Sequence, residues 1–411
     1  ASGKNFEVSF PAPYVACNNV ITLFPQGNQA TATYNDEYYF FVASSLYDFD
    51  YIEEDTFELN VMAEIFATQL EYKIDKTEAG VYSGYPMISF KMDKDTSTIY
   101  ARIVINGPDY FLCGAKTKDQ KTADKFFTTL RFKDPVYKNP YSDYSDTVLH
   151  FKVKTHLNNS QFRELTVRES DNYYDYFGME EKDDKKDDIY LPVTKSKVFL
   201  SHESGEKVFV EYKKHSMYYQ EKSMDDYWKE RYKSLNDNNS LKLRILSHTV
   251  DKGVSEVNVL LTDTNSIRAI RVKMIQKCGV LYTLMANVDS LKGLTGFSKN
   301  FFDTFIPADT CIGIDVTSDK LTEHFFNKIY ATDTAERKRA QKAIEYVAGN
   351  LNDEHAQLMI KLIEDKRFHE LEMAEKTRLM RVLGNLESKL ILPFYEKVYP
   401  EYIDSVSIQL A

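Results

Sequence analysis

The chain has 411 residues, enough for two or three domains that each bury a core of their own. Its residues are 43% hydrophobic and 28% charged, which is ordinary for folded proteins and excludes a disordered chain. A formal net charge of −10 gives no positive field to attract nucleic acid, so nucleic acid is not an expected partner. The longest apolar stretch, around Tyr38 to Tyr47, is shorter than the roughly 18 residues of a membrane span.

The first 140 residues alternate between patterns typical of strands and of helices. A capping-box spacing, Asp55 to Glu58, predicts the start of a helix, and Phe57, Val61 and Ile65 predict its apolar face. Period-two runs separated by turn residues predict an antiparallel meander after this helix, and Phe126-Phe127 predict a closing helix. The predicted strands are 6–10, 38–44, 87–92 and 99–105.

The same order of patterns returns in residues 141–315. Ser223 and Asp226 have the capping spacing, Tyr227-Trp228 begin an apolar helix face, and Phe301-Phe302 predict a second closing helix. The fold class predicted is therefore α+β, with two α/β sandwich domains whose antiparallel sheets are covered by helices. The predicted strands of the second copy are 148–155, 207–212, 257–261 and 267–275.

The repeat predicts which residues should coincide when the two copies are superposed. In each copy a Tyr follows a Gly by three residues, and an Arg lies in the third strand of the meander. The four phenylalanines of the closing helices should supply core contacts. The expected coincident pairs are Arg102 with Arg271, Tyr110 with Tyr282 and Phe127 with Phe302.

Four segments of the first copy carry a family resemblance: FEVSFPAP, GYPMISF, YARIVINGPDYFLCGA and ADKFFTTLRF. Together with the order of elements, they resemble PsbP-like domains. The resemblance implies α/β sandwiches, a role in photosystem assembly for some members, and Ran GTPase binding for a relative in nuclear import. It names no catalytic residue. The second copy departs from the pattern through an acidic, tyrosine-rich insertion at 169–190.

From about residue 316 the apolar period changes to 3.6, which predicts helices. The pattern around Val347 recurs around Val382, 35 residues later, and this segment resembles HEAT-like helical repeats. The alternative is an ordinary helical bundle. Because solenoids need capping repeats, the apolar residues near the end lead us to expect that 316–411 is truncated or is covered by another chain.

Residues that could carry chemistry have simpler structural interpretations. The acidic run from Asp48 to Asp55 lacks the Gly and Glu of a calcium loop, so a solvated loop is favoured. His150 and His156 are assigned to a solvated strand face beside Lys152 and Lys154. The segment SHESGEK, with Ser201, is interpreted as a hairpin turn because no GxSxG surrounds its serines.

No Walker, GxGxxG or HExxH sequence occurs, and four separated cysteines form no CxxC pair, so we expect no enzyme, cofactor or metal site. These cysteines are Cys17, Cys113, Cys278 and Cys311. Disulfide pairing and the redox compartment stay open.

Exposed aromatic and apolar residues instead suggest contacts with other proteins, since tyrosine is enriched in interfaces. The candidate partner-binding residues are Tyr173, Tyr174, Tyr176, Phe177, Ile403, Val406 and Leu410.

The sequence thus favours a non-enzymatic interaction or scaffold protein of a bacterial cell envelope complex, placed in the periplasm or envelope by the resemblance and the Lys/Asn/Tyr-rich start. Its partners would be other proteins or further domains of its own parent chain. An alternative resemblance is to the accessory C-terminal region of long TraB/GumN-like envelope proteins of Bacteroidota, whose hydrolase domain would lie outside this chain. A GTPase-binding module is a third possibility, by analogy of fold.

Overall fold

A computed structural model describes residues 5–17, 28–45, 52–157, 162–163, 192–237, 241–318, 320–348 and 351–398. The described residues form an α+β structure with antiparallel sheets followed by a helical segment, as the sequence predicts. The first unit contains, in chain order, β1 (Phe6–Glu7), β2 (Val15–Cys17), β3 (Asn28–Tyr34), β4 (Glu37–Ser45), α1 (Asp55–Gln69), β5 (Lys73–Tyr82), β6 (Tyr85–Lys94), β7 (Ser97–Asn106), β8 (Asp109–Lys116), α2 (Gln120–Phe127) and β9 (Arg131–Phe132).

The second unit repeats this order with one more strand at its start. Its elements are β10 (Ser142–Asp146), β11 (Phe151–Thr155), β12 (Phe162–Arg163), β13 (Val193–Leu200), β14 (Lys207–Lys214), α3 (Met224–Asp237), β15 (Lys242–Asp251), β16 (Val254–Thr262), β17 (Arg268–Lys277), β18 (Val280–Asp289), α4 (Gly296–Thr304) and β19 (Ile306–Pro307).

Two seven-stranded antiparallel sheets have the same strand order. The first is ordered β2-β3-β4-β8-β7-β6-β5 and the second β12-β13-β14-β18-β17-β16-β15. In each unit the first helix covers one face of the sheet, and the closing helix covers the other face together with a small separate sheet. Phe126, Phe127, Phe301 and Phe302 are all buried, so the prediction that they are core residues is confirmed.

The register of the meanders corrects two of the expected coincident pairs. Asn106 pairs with Asp109 across one turn, and Lys277 pairs with Val280 across the equivalent turn. Strand positions counted from these turns match Arg102 with Lys273 and Tyr110 with Leu281. The pairings with Arg271 and Tyr282 are therefore wrong, because Gly107 is the first residue of its turn whereas Gly279 is the second.

The burial of α1 also differs from the sequence prediction. Phe57 is 55% exposed and Ile65 is 42% exposed, whereas Leu59, Met62 and Phe66 are buried against the sheet. The helix has apolar residues around its whole circumference, so periodicity alone could not identify the covered face. Its N-cap is not Asp55 but Glu54, whose carboxylate accepts hydrogen bonds from the backbone amides of Thr56 and Phe57.

The C-terminal segment is helical and has one hydrophobic cluster. Its elements are a π-helical turn (Leu321–Phe326), α5 (Thr334–Lys342), α6 (Ile344–Ala348), a 3-10 turn (Asp353–His355), α7 (Ala356–Glu364), a 3-10 turn (Lys366–Glu370), α8 (Met373–Gly384) and α9 (Ile391–Val398).

The predicted 35-residue spacing is present in this helical segment. Helices α7 and α9 begin 35 residues apart, and their buried residues correspond: Met359 with Phe394, and Ile363 with Val398. Val347 and Val382, where the sequence repeat was noticed, are both buried in the same cluster. The domain boundaries at 140 and 315 and the HEAT-like interpretation stay predictions.

Candidate functional site

A buried arginine of the second sheet enters the first unit. The side chain of Arg268, the first residue of β17, is 1% exposed. Its guanidinium donates to the carboxylates of Asp55 and Glu58, to the hydroxyl of Tyr110 and to the carbonyl of Glu53. These four acceptors belong to the first unit, and Nε also donates to the hydroxyl of Ser266 in its own unit at 3.3 Å. We call Arg268, Asp55, Glu58 and Tyr110 the interface cluster.

The side chain of Asp55, in the first unit, is bound by residues of the second unit. Its carboxylate accepts a hydrogen bond of 2.7 Å from the backbone amide of Ile267 and one of 2.8 Å from the hydroxyl of Ser266. Burial raises the pKa of Asp55, while the hydrogen bonds from Ile267, Ser266 and Arg268 act in the opposite direction. Burial also raises the pKa of Tyr110, so this phenol stays a neutral donor to Glu58.

Apolar contacts cross the same boundary. Ile52, from the first unit, is 3% exposed and belongs to the core under α3 of the second unit. Ile267 packs in return against both core clusters of the first unit. The Lys292 ammonium lies 4.9 Å from the ring centroid of Tyr85 and donates to its hydroxyl. The two sheets are therefore joined by side chains that each unit inserts into the other.

A disulfide joins Cys278 to Cys311, with the two Cα atoms 5.2 Å apart. It connects the β17–β18 turn to the segment that leads into the helices. Gly279 in this turn has φ +73°, and a Cβ atom there would lie 2.1 Å from the carbonyl oxygen of Ile314. The close approach therefore requires glycine. The cysteines are 33 residues apart and form no local motif, so only the tertiary fold reveals the pair.

Residues of the second unit also enter the core of the C-terminal helices. The backbone amide of Glu221 donates to the carbonyl of Val316 at 2.7 Å. Met217 and Tyr218 are buried in the cluster formed by the C-terminal helices. The second unit therefore contributes to the core of the helical segment and is hydrogen-bonded to the chain that leads into it.

His156 is buried and does not lie on a solvated strand face as predicted. Strand β11 ends at Thr155, and the His156 side chain in the following turn is 0% exposed. Its ring lies between Tyr137, Tyr141 and Phe297, with centroids 4.6, 5.3 and 5.3 Å away. The prediction is wrong because these aromatic residues lie outside the β11 strand, and Phe297 comes from a distant part of the chain.

A serine and a glutamate contact the same nitrogen of His156. Nε2 lies 3.0 Å from Ser201 Oγ and 3.2 Å from Glu203 Oε2. A catalytic triad instead uses the two different ring nitrogens for the nucleophile and the acid. Ser201 is 0% exposed, and its hydroxyl accepts from the backbone amide of Ser204. Ser201 to Glu206 form the predicted turn between β13 and β14.

A second buried histidine lies between the β14 strand and α3. His215 stacks on Tyr219 with ring centroids 4.4 Å apart, and its Nε2 lies 3.0 Å from the hydroxyl of Tyr227. Burial, together with the charges of Arg231 and Lys213, lowers the pKa of His215 to about 3. This histidine is therefore neutral in the folded protein at pH 7.

One edge strand of each seven-stranded sheet, β5 in the first and β15 in the second, faces solvent. All but two residues of β5 and all but one of β15 are exposed. Each strand has a β-bulge, at Asp75 and at Leu246 respectively. In β15 the exposed residues include Ile245, Leu246 and Val250, at 48%, 43% and 70% exposure.

The predicted partner-binding residues lie outside the described residues, as does the insertion at 169–190. This applies to Tyr173, Tyr174, Tyr176, Phe177, Ile403, Val406 and Leu410. Of the acidic run, Glu54 caps α1 and Asp55 joins the interface cluster. Within the described ranges, no group of three or more His, Cys, Asp or Glu could hold a metal ion. No helix in the described part is long and apolar enough to cross a membrane.

Comparison with known proteins yields similarity to solved structures. No family model matches the chain, and no curated protein sequence matches it. Among solved structures, the chain is similar to the solution structure of cyanobacterial PsbP (CyanoP) from Synechocystis sp. PCC 6803. The two share 9% identity over 32% of this chain and 88% of that chain, with a TM-score of 0.27. The TraB/GumN-like and HEAT-like resemblances stay predictions.

The burial of His215 predicts a pH dependence of stability. The unfolded histidine takes up a proton below its ordinary pKa of 6.5, but the folded one does so only near pH 3. Between these values the unfolded state binds more protons, so stability falls as the pH is lowered, by up to about 1.4 kcal/mol per pH unit for this group. Measured by urea unfolding between pH 6.5 and 4, the free energy of unfolding should depend less steeply on pH for His215→Gln than for the unmodified chain.

His202→Gln, at an exposed histidine, is the matched control. Equal slopes for all three proteins would contradict this assignment.

Proposed function

We propose that this chain is a non-enzymatic scaffold that binds other proteins in an extracytoplasmic compartment such as the bacterial cell envelope. The observation that carries the proposal is the way its parts are joined. Arg268 fixes the first unit to the second, and the Cys278–Cys311 disulfide ties the second unit to the segment leading to the helices. Scaffolds hold partners at fixed separations, and such cross-links restrict relative motion of the parts.

The placement of the ionisable clusters supports the same proposal. The clusters around Arg268, His156 and His215 lie between elements and bind those elements together. A catalytic group must reach its substrate, yet Ser201 and His156 are closed to solvent in spite of their 3.0 Å contact. The solvent-exposed surface includes instead the edge strands β5 and β15, where main-chain groups are available to a partner.

The disulfide supports an extracytoplasmic location for the chain. Disulfides persist in oxidising surroundings such as the periplasm and are rare in the cytosol of most organisms. A loop of 33 residues closed by such a bond stabilises the fold by about 3 to 4 kcal/mol in the chain-entropy model. Cys113 is buried, and burial raises the pKa of its thiol to about 12, so it is a structural cysteine without nucleophilic character.

Substitution of the buried serine tests whether the chain acts without catalysis. Cells that produce Ser201→Ala in place of the native chain should behave like cells with the native chain and should not show the defect caused by deletion. The same set of proteins should copurify with both chains. Ser204→Ala, a buried serine of the same turn, is the matched control because its hydroxyl also accepts a backbone amide. A Ser201→Ala chain of normal abundance and melting temperature that behaves like the deletion would make the serine catalytic and overturn the proposal.

Thiol labelling tests the compartment. Cells are lysed directly into denaturant that contains a maleimide reagent. The reagent should label only Cys17 and Cys113, whereas all four cysteines should be labelled after reduction. The reagent adds mass at each free thiol, so intact-protein mass spectrometry counts them. Four labelled cysteines before reduction would indicate a reducing compartment and contradict the extracytoplasmic assignment.

A further inference from the structure

The β15 strand has a free edge in the described part of the second sheet. It pairs with β16 on one side and with no described strand on the other. Its exposed apolar residues, Ile245, Leu246 and Val250, are unusual for an edge, since proteins normally protect edges with charges, proline or covering segments. The main-chain groups on this side can therefore pair with another strand.

The sequence of β15 is complementary to itself in the antiparallel direction. When the strand is paired with a second copy around a two-fold axis between Leu246 and Ser247, Lys242 lies opposite Asp251. Leu243 then lies opposite Val250. Opposite charges and apolar pairs directly across a sheet stabilise it, and the two-fold axis makes each pair occur twice. No like charges meet in this register.

The bulge indicates which partner fits. Leu246 is the extra residue between the paired positions Ile245 and Ser247, so the ladder is interrupted at this point. A bulged edge is a poor template for an ordinary straight strand. In the two-fold arrangement both bulges lie at the axis, and the regular arms on either side pair with each other. A second copy of this chain therefore fits where a straight strand does not.

The corresponding strand of the first unit lacks this complementarity. In the equivalent register of β5, Lys73 would lie opposite Tyr82, and Asp75 opposite Gly80. No ion pair forms in this register. Among the large apolar residues of β5, only Val81 is strongly exposed. The two strands have the same place in their sheets, so β5 is an internal control.

We propose that β15 pairs antiparallel with β15 of a second copy and joins their seven-stranded sheets into one continuous sheet. This inference goes beyond the proposed function, because it assigns an occupant to one surface whether or not the chain is a scaffold. The dimer would place two copies of the tandem units in a two-fold arrangement.

Charge exchange at Lys242 and Asp251 tests the proposal by sedimentation velocity on the full chain. The unmodified chain should dimerise at concentrations up to ~100 µM. Lys242→Asp and Asp251→Lys should each weaken the dimer about tenfold or more, because each puts like charges opposite each other twice. The double variant should dimerise again, and an equimolar mixture of the two single variants should form a heterodimer.

Both residues are exposed, so the variants should fold, and their melting temperatures check this. Lys73→Asp in β5 is the matched control and should leave the dimer unchanged. A monomeric unmodified chain, or a dimer that neither single variant weakens, would overturn the proposal. Restoration of the dimer by mixing the two single variants would identify β15 pairing specifically, since no other surface is altered in a complementary way.

Discussion

The arrangement of this protein depends on one guanidinium buried between two sheets. Burying an ion costs several kcal/mol unless its hydrogen bonds and its charge are matched. Arg268 meets that condition only when the first unit supplies Asp55, Glu58, Tyr110 and the carbonyl of Glu53. Separation of the units would leave the two carboxylates and the arginine without these partners. A single relative position of the two sheets is therefore favoured, because the hydrogen bonds have direction whereas apolar contacts do not.

The shared core extends this arrangement to the helices, because Met217 and Tyr218 of the second unit are buried in the helical cluster. The β17 strand begins at Arg268, which contacts the first unit, and ends beside Cys278, whose disulfide holds the segment that leads into the helices. The two buried histidines strengthen the regions next to these junctions: Tyr137 and Tyr141, which contact His156, lie in the stretch between the two units. Polar groups are thus concentrated where parts of the chain meet, and this arrangement supports the scaffolding role that we propose.

Sequence patterns were sufficient for the repeated order of elements, the burial of Phe127 and Phe302, and the 35-residue helical spacing, because each depends on local periodicity. The other features depend on contacts between distant residues. Asp55 has the spacing of a helix cap but is used by the second unit, so Glu54 caps the helix instead. His156 follows a strand with solvated lysines, yet Tyr137 before this strand and the distant Phe297 enclose it. Counting from Gly107 and Gly279 misaligned the repeats, because a turn can place glycine at either central position.

Calorimetry of Arg268→Met tests the central claim most directly. The unmodified chain should unfold its two sheets in one transition, because each is held by the other. Arg268→Met should separate this into two transitions and lower stability by about 3 to 5 kcal/mol, since Asp55 and Glu58 lose their partner. The matched control is Arg271→Met, three residues along β17, whose side chain bonds to Val259 and Asn258 within its own sheet. One shared transition in both variants, with equal loss of stability, would show that Arg268 does not fix the two sheets together.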